Sequence, residues 1–204
     1  TGCLEETARR LGVRIETKCR VHAIERCGGG GFTVHAKGRS WRCGRLLLAT
    51  GGLKPPMDAV LRGLGHTVVP PVPSLFSVKF SDPLTRGLSG IAVPHVALSV
   101  EGHKGLRAEG PFLITHAGAS GPGVLRLSAW AARALHALDY RFILLVDWTP
   151  AETADSRREA LARMRGEAPA KLVKNTPLFG LPRRLWESLA ESAGAAGTPW
   201  NQLG

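Results

Sequence analysis

Leu46-Leu47-Leu48-Ala49-Thr50-Gly51-Gly52 is the stretch on which the reading of this chain turns. With Arg45 ahead of it, the near-continuous apolar run predicts a strand covered on both faces, as in a parallel α/β sheet. It then runs directly into two glycines. Glycine leaves backbone bare at the carboxyl edge of a sheet, where α/β folds bind nucleotides and a side chain would collide with the ligand. Spacing alone also fits a plain strand-to-loop turn, so both readings stand at this point.

Working outward, residues 4–11 read as the end of a helix stopped by Gly12. Val13–Thr17 alternates apolar and polar and predicts a short half-buried strand. Val21–Arg26, Phe32–Ala36 and the run beginning at Trp41–Cys43 predict a meander joined by glycine-rich turns. Gly28–Gly31 joins two strands and lacks the Lys-Ser/Thr of a phosphate-binding loop, so it reads as a hairpin tip. Beyond the glycine pair, Met57–Leu64 fits a short helix ended by Gly65. Five prolines between 55 and 73 mark a change of character, with a domain boundary near residue 70. Strands follow at Phe76–Phe80, His95–Val100 and Leu106–Thr115, the last two joined by a turn flanked by Gly102 and Gly105. A helix from Pro122 to about Leu138, a strand over Arg141–Trp148 and an amphipathic helix over Pro177–Ala193 complete the pattern. Thr149 with Glu152 reads as the capping box of a further helix.

A second segment carries chemical promise. In Leu113-Ile114-Thr115-His116-Ala117-Gly118-Ala119-Ser120-Gly121-Pro122 a strand feeds a glycine-spaced loop and then a helix start. Helix N-termini offer free N–H groups, and His116 is a candidate proton donor or acceptor near neutral pH. The alternative is that Ser120 caps the helix and His116 only ties the loop.

Four stretches occur in order: Ala49-Thr50-Gly51-Gly52; Gly65-His66-Thr67 followed by Pro70, Pro71 and Pro73; Leu88-Ser89-Gly90; and Thr115-His116-x-Gly118-x-Ser120-Gly121-Pro122. Together they resemble the aminoacetone-oxidase-like family of NAD(P)/FAD-dependent oxidoreductases, over residues 13 to about 165. The resemblance implies an α/β fold with an α+β insert. Residues 1–66 would be a partial, glutathione-reductase-like FAD-binding domain with a β-meander. Residues 67–204 would be a β-rich inserted domain with flanking helices. It further implies FAD contacts at Arg20 and Val21, against the adenine, and at Ala49, Thr50, Gly51 and Gly52, along the dinucleotide. NAD(P)H is a candidate second cofactor and a small molecule the expected substrate. The family's G-x-G-x-x-G loop is absent from these residues. Leu53-Lys54-Pro55-Pro56-Met57 replaces the longer Gly-, Ser- and Tyr-containing loop of the family.

Composition bounds the alternatives. With 204 residues, 44% hydrophobic, and no apolar run near the ~20 residues of a bilayer span, no membrane partner is expected. Cys3, Cys19, Cys27 and Cys43 show no metal-ligand spacing, so no metal is expected; free thiols fit a cytoplasmic protein, with a disulfide left open. Thr1 and the unfinished run Thr198–Gly204 read as cut ends, so an internal fragment is the expectation. The net charge of +11 comes from 20 Arg and 7 Lys scattered along the chain, more like solvated faces than a nucleic-acid footprint. The competing reading is a non-enzymatic basic binding module using Trp41, Trp130, Trp148, Trp186 and Trp200, although tryptophans on regular elements are expected to pack in the core.

Overall fold

The computed structural model describes residues 2–52 and 55–204. The chain divides into two units, Thr1–Pro71 and Val72–Gly204.

In the first unit, helix α1 (Gly2–Arg10) stops where the sequence says it must. Gly12 takes φ +81°, its N–H bonds Arg9 O and the next N–H, of Val13, bonds Ala8 O. These two bonds cap the last turn, and the left-handed backbone favours glycine there. Strands β1 (Val21–Arg26), β2 (Phe32–Ala36) and β3 (Arg39–Cys43) form an antiparallel meander in sequence order, with an irregularity between Val21 and Ala23. Gly28–Gly31 forms the β1–β2 tip as expected. Helix α2 (Met57–Gly63) lays Met57 and Val60 on Ile24. Val21, Phe32, Val34, Leu46, Leu48 and Leu64 complete that small core.

Two expected strands are not formed. Val13–Thr17 is irregular, with Val13 exposed. Arg45–Thr50 is also outside both sheets. A strand of a parallel sheet takes its hydrogen bonds from strands on either side, and the described residues place none beside this one. Its leucines therefore divide: Leu46 and Leu48 pack on the small core, while Leu47 is 87% exposed. Of the replaced loop, Leu53 and Lys54 lie outside the described residues.

The second unit is built on a curled five-stranded sheet. Its strands are β4 (Val78–Lys79), β5 (Ala92–Val100), β6 (His103–Thr115), β7 (Gly118–Ser120) and β8 (Leu144–Asp147), in the order β4-β7-β6-β5-β8. Every neighbouring pair is antiparallel. Val93, Val96, Leu98, Val100, Phe112 and Ile114 bury one side of it. Helix α3 (Pro122–Trp130) packs on β6 through glycine: a Cβ on Gly123 would lie 3.2 Å from the carbonyl oxygens of Gly110 and Pro111. The long helix read from Pro122 to Leu138 is broken at Ala131, and α4 (Ala132–Ala137) follows. The β5–β6 turn is Glu101-Gly102 alone, because Val100 pairs His103; Gly105 lies inside β6.

Helix α5 (Ala154–Glu167) starts later than the expected Thr149–Glu152 capping box. The Thr149 N–H is taken by Asp147 Oδ1 (3.0 Å) and its carbonyl by Arg157 (2.7 Å), which holds 149–152 as a turn. Thr153 is the true cap, accepting from the Ser156 N–H. Helix α6 (Arg183–Ser192) likewise starts after Pro177, because Phe179 and Gly180 both have positive φ and end any helix there. Trp200, beyond α6, is fully buried and donates to Thr176 Oγ1 (2.6 Å), and Trp186, on α6, donates to the Val173 carbonyl (2.7 Å).

Candidate functional site

The glycine pair is open to solvent. Ala49, Thr50, Gly51 and Gly52 are all exposed. Gly51 has φ +82°, and a Cβ on either glycine would meet nothing within 4 Å. Bare backbone is thus presented at the end of an apolar run that is anchored by Leu46 and Leu48 on β1 and α2. Val21 is half-buried on the same small core, and Arg20, just before it, is exposed. The structure brings Val21 and the leucine run onto one core, which places Arg20 and Ala49–Gly52 on the same small unit. Residues 1–71 carry twelve Lys and Arg against five Asp and Glu. A bound anion would find a favourable field there.

The Thr115–Pro122 segment is arranged differently. It is a tight hairpin: β6 turns at His116-Ala117 into β7, which leads into α3. His116 stands exposed at the tip, and its side chain makes no hydrogen bond among the described residues. Ser120 does not cap the helix; its hydroxyl accepts from Ser77 Oγ (2.7 Å), and Gly121 occupies the cap position. The glycines serve close packing. A Cβ on Gly118 would run into the Val78 carbonyl and lie 2.8 Å from Lys79 Cα; on Gly121 it would lie 2.8 Å from Pro111 O. This motif is specific because its backbone is crowded.

A feature the sequence reading missed is a groove of about 740 Å³ along the open side of the curled sheet. Phe76, Val78, Phe80 and Phe112 line one part, and Phe142, Leu144, Val146 and Trp148 another. The signal was present as two alternating runs, Phe76-x-Val78-x-Phe80 and Phe142-x-Leu144-x-Val146-x-Trp148, each read simply as a strand. Phe112 meets Trp148 edge-on at 5.3 Å. Lys79, Asp82 and Thr85 supply polar groups at its margin.

All four cysteines are free. Among the described residues no group of three or more His, Cys, Asp or Glu is placed to hold a metal, and no helix is long and apolar enough to cross a membrane. Trp186 and Trp200 are core residues, whereas Trp130 is 76% exposed at the end of α3, against the expectation that all five pack.

The class so defined is a mixed α/β protein: a meander unit with a bared Thr-Gly-Gly end, and a half-barrel sheet followed by helices. The chain belongs to the HI0933-like family, since residues 72–204 match the model described as "HI0933-like protein barrel and H2TH domain". The chain is similar to the ribosomal RNA dihydrouridine synthase of Haemophilus influenzae, 26% identical over 203 residues covering 90% of this chain and 46% of that protein. It is 30% identical to the protein of the same name in Escherichia coli over 178 residues, covering 79% of this chain and 40% of the relative. The 3-dehydro-bile acid delta(4,6)-reductase of Clostridium scindens is 27% identical over 196 residues, covering 92% and 47%. The chain therefore spans less than half the length of these curated relatives, all of them named as enzymes.

Proposed function

We propose that this chain is part of an FAD-dependent reductase that saturates a carbon–carbon double bond. The observation that carries the reading is the exposed, unobstructed backbone of Gly51 and Gly52 at the end of the leucine run. The aminoacetone-oxidase-like resemblance supports it. So do the relatives' names: a dihydrouridine is a uridine with two hydrogens added, and a delta(4,6)-reductase saturates double bonds. Addition of two hydrogens to a ring carbon–carbon double bond is the chemistry these names share, and it sets the proposed substrate class.

In this reading residues 1–66 belong to the FAD-binding domain and 67–204 to an inserted domain. The dinucleotide lies along Ala49–Gly52, with Arg20 and Val21 beside the adenine. Bound there, FAD supplies two-electron chemistry, with NAD(P)H the candidate reductant. The chain's own part is to bind and orient. Gly51 and Gly52 admit the close approach, and the basic surface of 1–71 offsets the pyrophosphate charge. His116 stays a candidate proton donor only in so far as its exposed tip meets the substrate.

The test is flavin content. The complete gene product should purify with about one FAD per chain and be bleached anaerobically by NADPH or NADH. Residues 1–204 alone, which contain no G-x-G-x-x-G, should purify colourless. A complete product that never binds flavin refutes the reading.

A further inference from the structure

The curled sheet of the second unit is open between its two edge strands, and the open side has a definite polarity. Five strands in all-antiparallel order leave β4 and β8 running in the same direction. One strand laid between them, antiparallel to both, would close six strands into a barrel without a parallel pair. The family model that matches residues 72–204 is described as a barrel. The described strands by themselves form an open five-stranded sheet with β4 and β8 as its edges.

The edges are prepared for such an addition. The Glu101 N–H bonds Ile143 O (3.1 Å), so in the antiparallel alternation Ser99–Leu145 and Ala97–Asp147 are the bonded pairs. The N–H and C=O groups of Leu144 and Val146 then point away from β5, toward the open side. On the other edge, the Phe80 N–H bonds Ala117 O (3.1 Å), which turns the backbone of Lys79 outward in the same way. Along most of its length strand β8 lacks the usual protections of an exposed edge; its one charge, Asp147, stands at the end and pairs with Arg157. Phe142-Ile143-Leu144-Leu145-Val146 has no charge and no proline, its register on β5 has no bulge, and Ile143 and Leu145 are 59% and 45% exposed. The groove between the edges is walled by Phe and Leu side chains facing an unfilled space of about 740 Å³.

We infer that the groove is the seat of a β-strand contributed by the same polypeptide from outside these 204 residues, hydrogen-bonded to Leu144 and Val146 on one side and to Lys79 on the other. The relatives are more than twice the length of the stretch they share with this chain, so a full-length protein of their kind has chain to supply it. The groove walls require that strand to place alternate apolar side chains inward. This inference stands independently of the flavin reading.

Hydrogen exchange on the complete gene product tests it. The amides of Leu144, Val146 and Lys79 should exchange at least a hundredfold more slowly than the turn amide of Gly102, at every protein concentration. Exchange of the three at the rate of Gly102 overturns the inference. Protection that appears only as concentration rises also overturns it, because the occupant is then a second copy. A variant gives a separate readout. Lys79→Pro removes the outward N–H and should melt several degrees below Lys79→Ala in the complete product. Equal melting of the two in the complete product counts against the added strand.

Discussion

Glycine acts in this chain in two opposite ways, and single residues separate them. At Gly118 the backbone is crowded by Val78 and Lys79. Gly118→Ala has no room, and we expect a loss of about 3 kcal/mol or more, read as a lower denaturant midpoint with β4 detached from β7. At Gly51 the surroundings are empty but φ is +82°. There Gly51→Ala should cost only about 1 kcal/mol, the strain of a left-handed alanine. Ser128 is a third case. Its buried hydroxyl accepts from the Phe76 N–H (3.0 Å) and donates to the Leu125 carbonyl (3.0 Å). Ser128→Ala leaves the half-buried Phe76 N–H without this partner, and about 1 kcal/mol of stability should go with it. Neither the crowding at Gly118 nor the bond to Phe76, 52 residues away, is visible in local sequence. Both depend on which strands the fold brings together.

Elements whose limits are set by local backbone chemistry were legible. The α1 stop at Gly12, the meander strands and the Gly28–Gly31 tip all follow from glycine placement and alternation. Elements that depend on a distant partner were not. Leu46–Thr50 has the composition of a buried parallel strand yet no strand beside it, and Thr149 looked like a cap until Asp147 and Arg157 claimed its backbone. The true cap gives a prediction: Thr153→Ala should destabilise α5 by about 1 kcal/mol, while Thr149→Ala should leave its helicity unchanged in circular dichroism. At the candidate site, the openness of Gly51 and Gly52 was legible from composition. The groove was not, because its walls are Phe76–Phe80 and Phe142–Trp148, brought together only by sheet curvature. Trp130 likewise reads as core until α3 is docked on β6 with its other face inward.

At the scale of the whole molecule, the two units divide the work proposed for them: residues 1–71 present the bare backbone of Gly51 and Gly52 on a unit rich in Lys and Arg, and residues 72–204 supply a half-barrel. Removing Trp200, whose buried indole bonds Thr176, should cost about 3–5 kcal/mol and unfold the α5–α6 region first. The central claim is that a dinucleotide lies across Gly51 and Gly52, and Gly52 tests it cleanly. Its backbone is outside the left-handed region and a Cβ there meets nothing within 4 Å, so Gly52→Val should fold as the parent does. The decisive measurement is FAD affinity of the complete gene product carrying Gly52→Val, with the melting temperature of the flavin-free form as control. At least tenfold weaker flavin binding with unchanged apo melting is the predicted result; unchanged FAD affinity would contradict it.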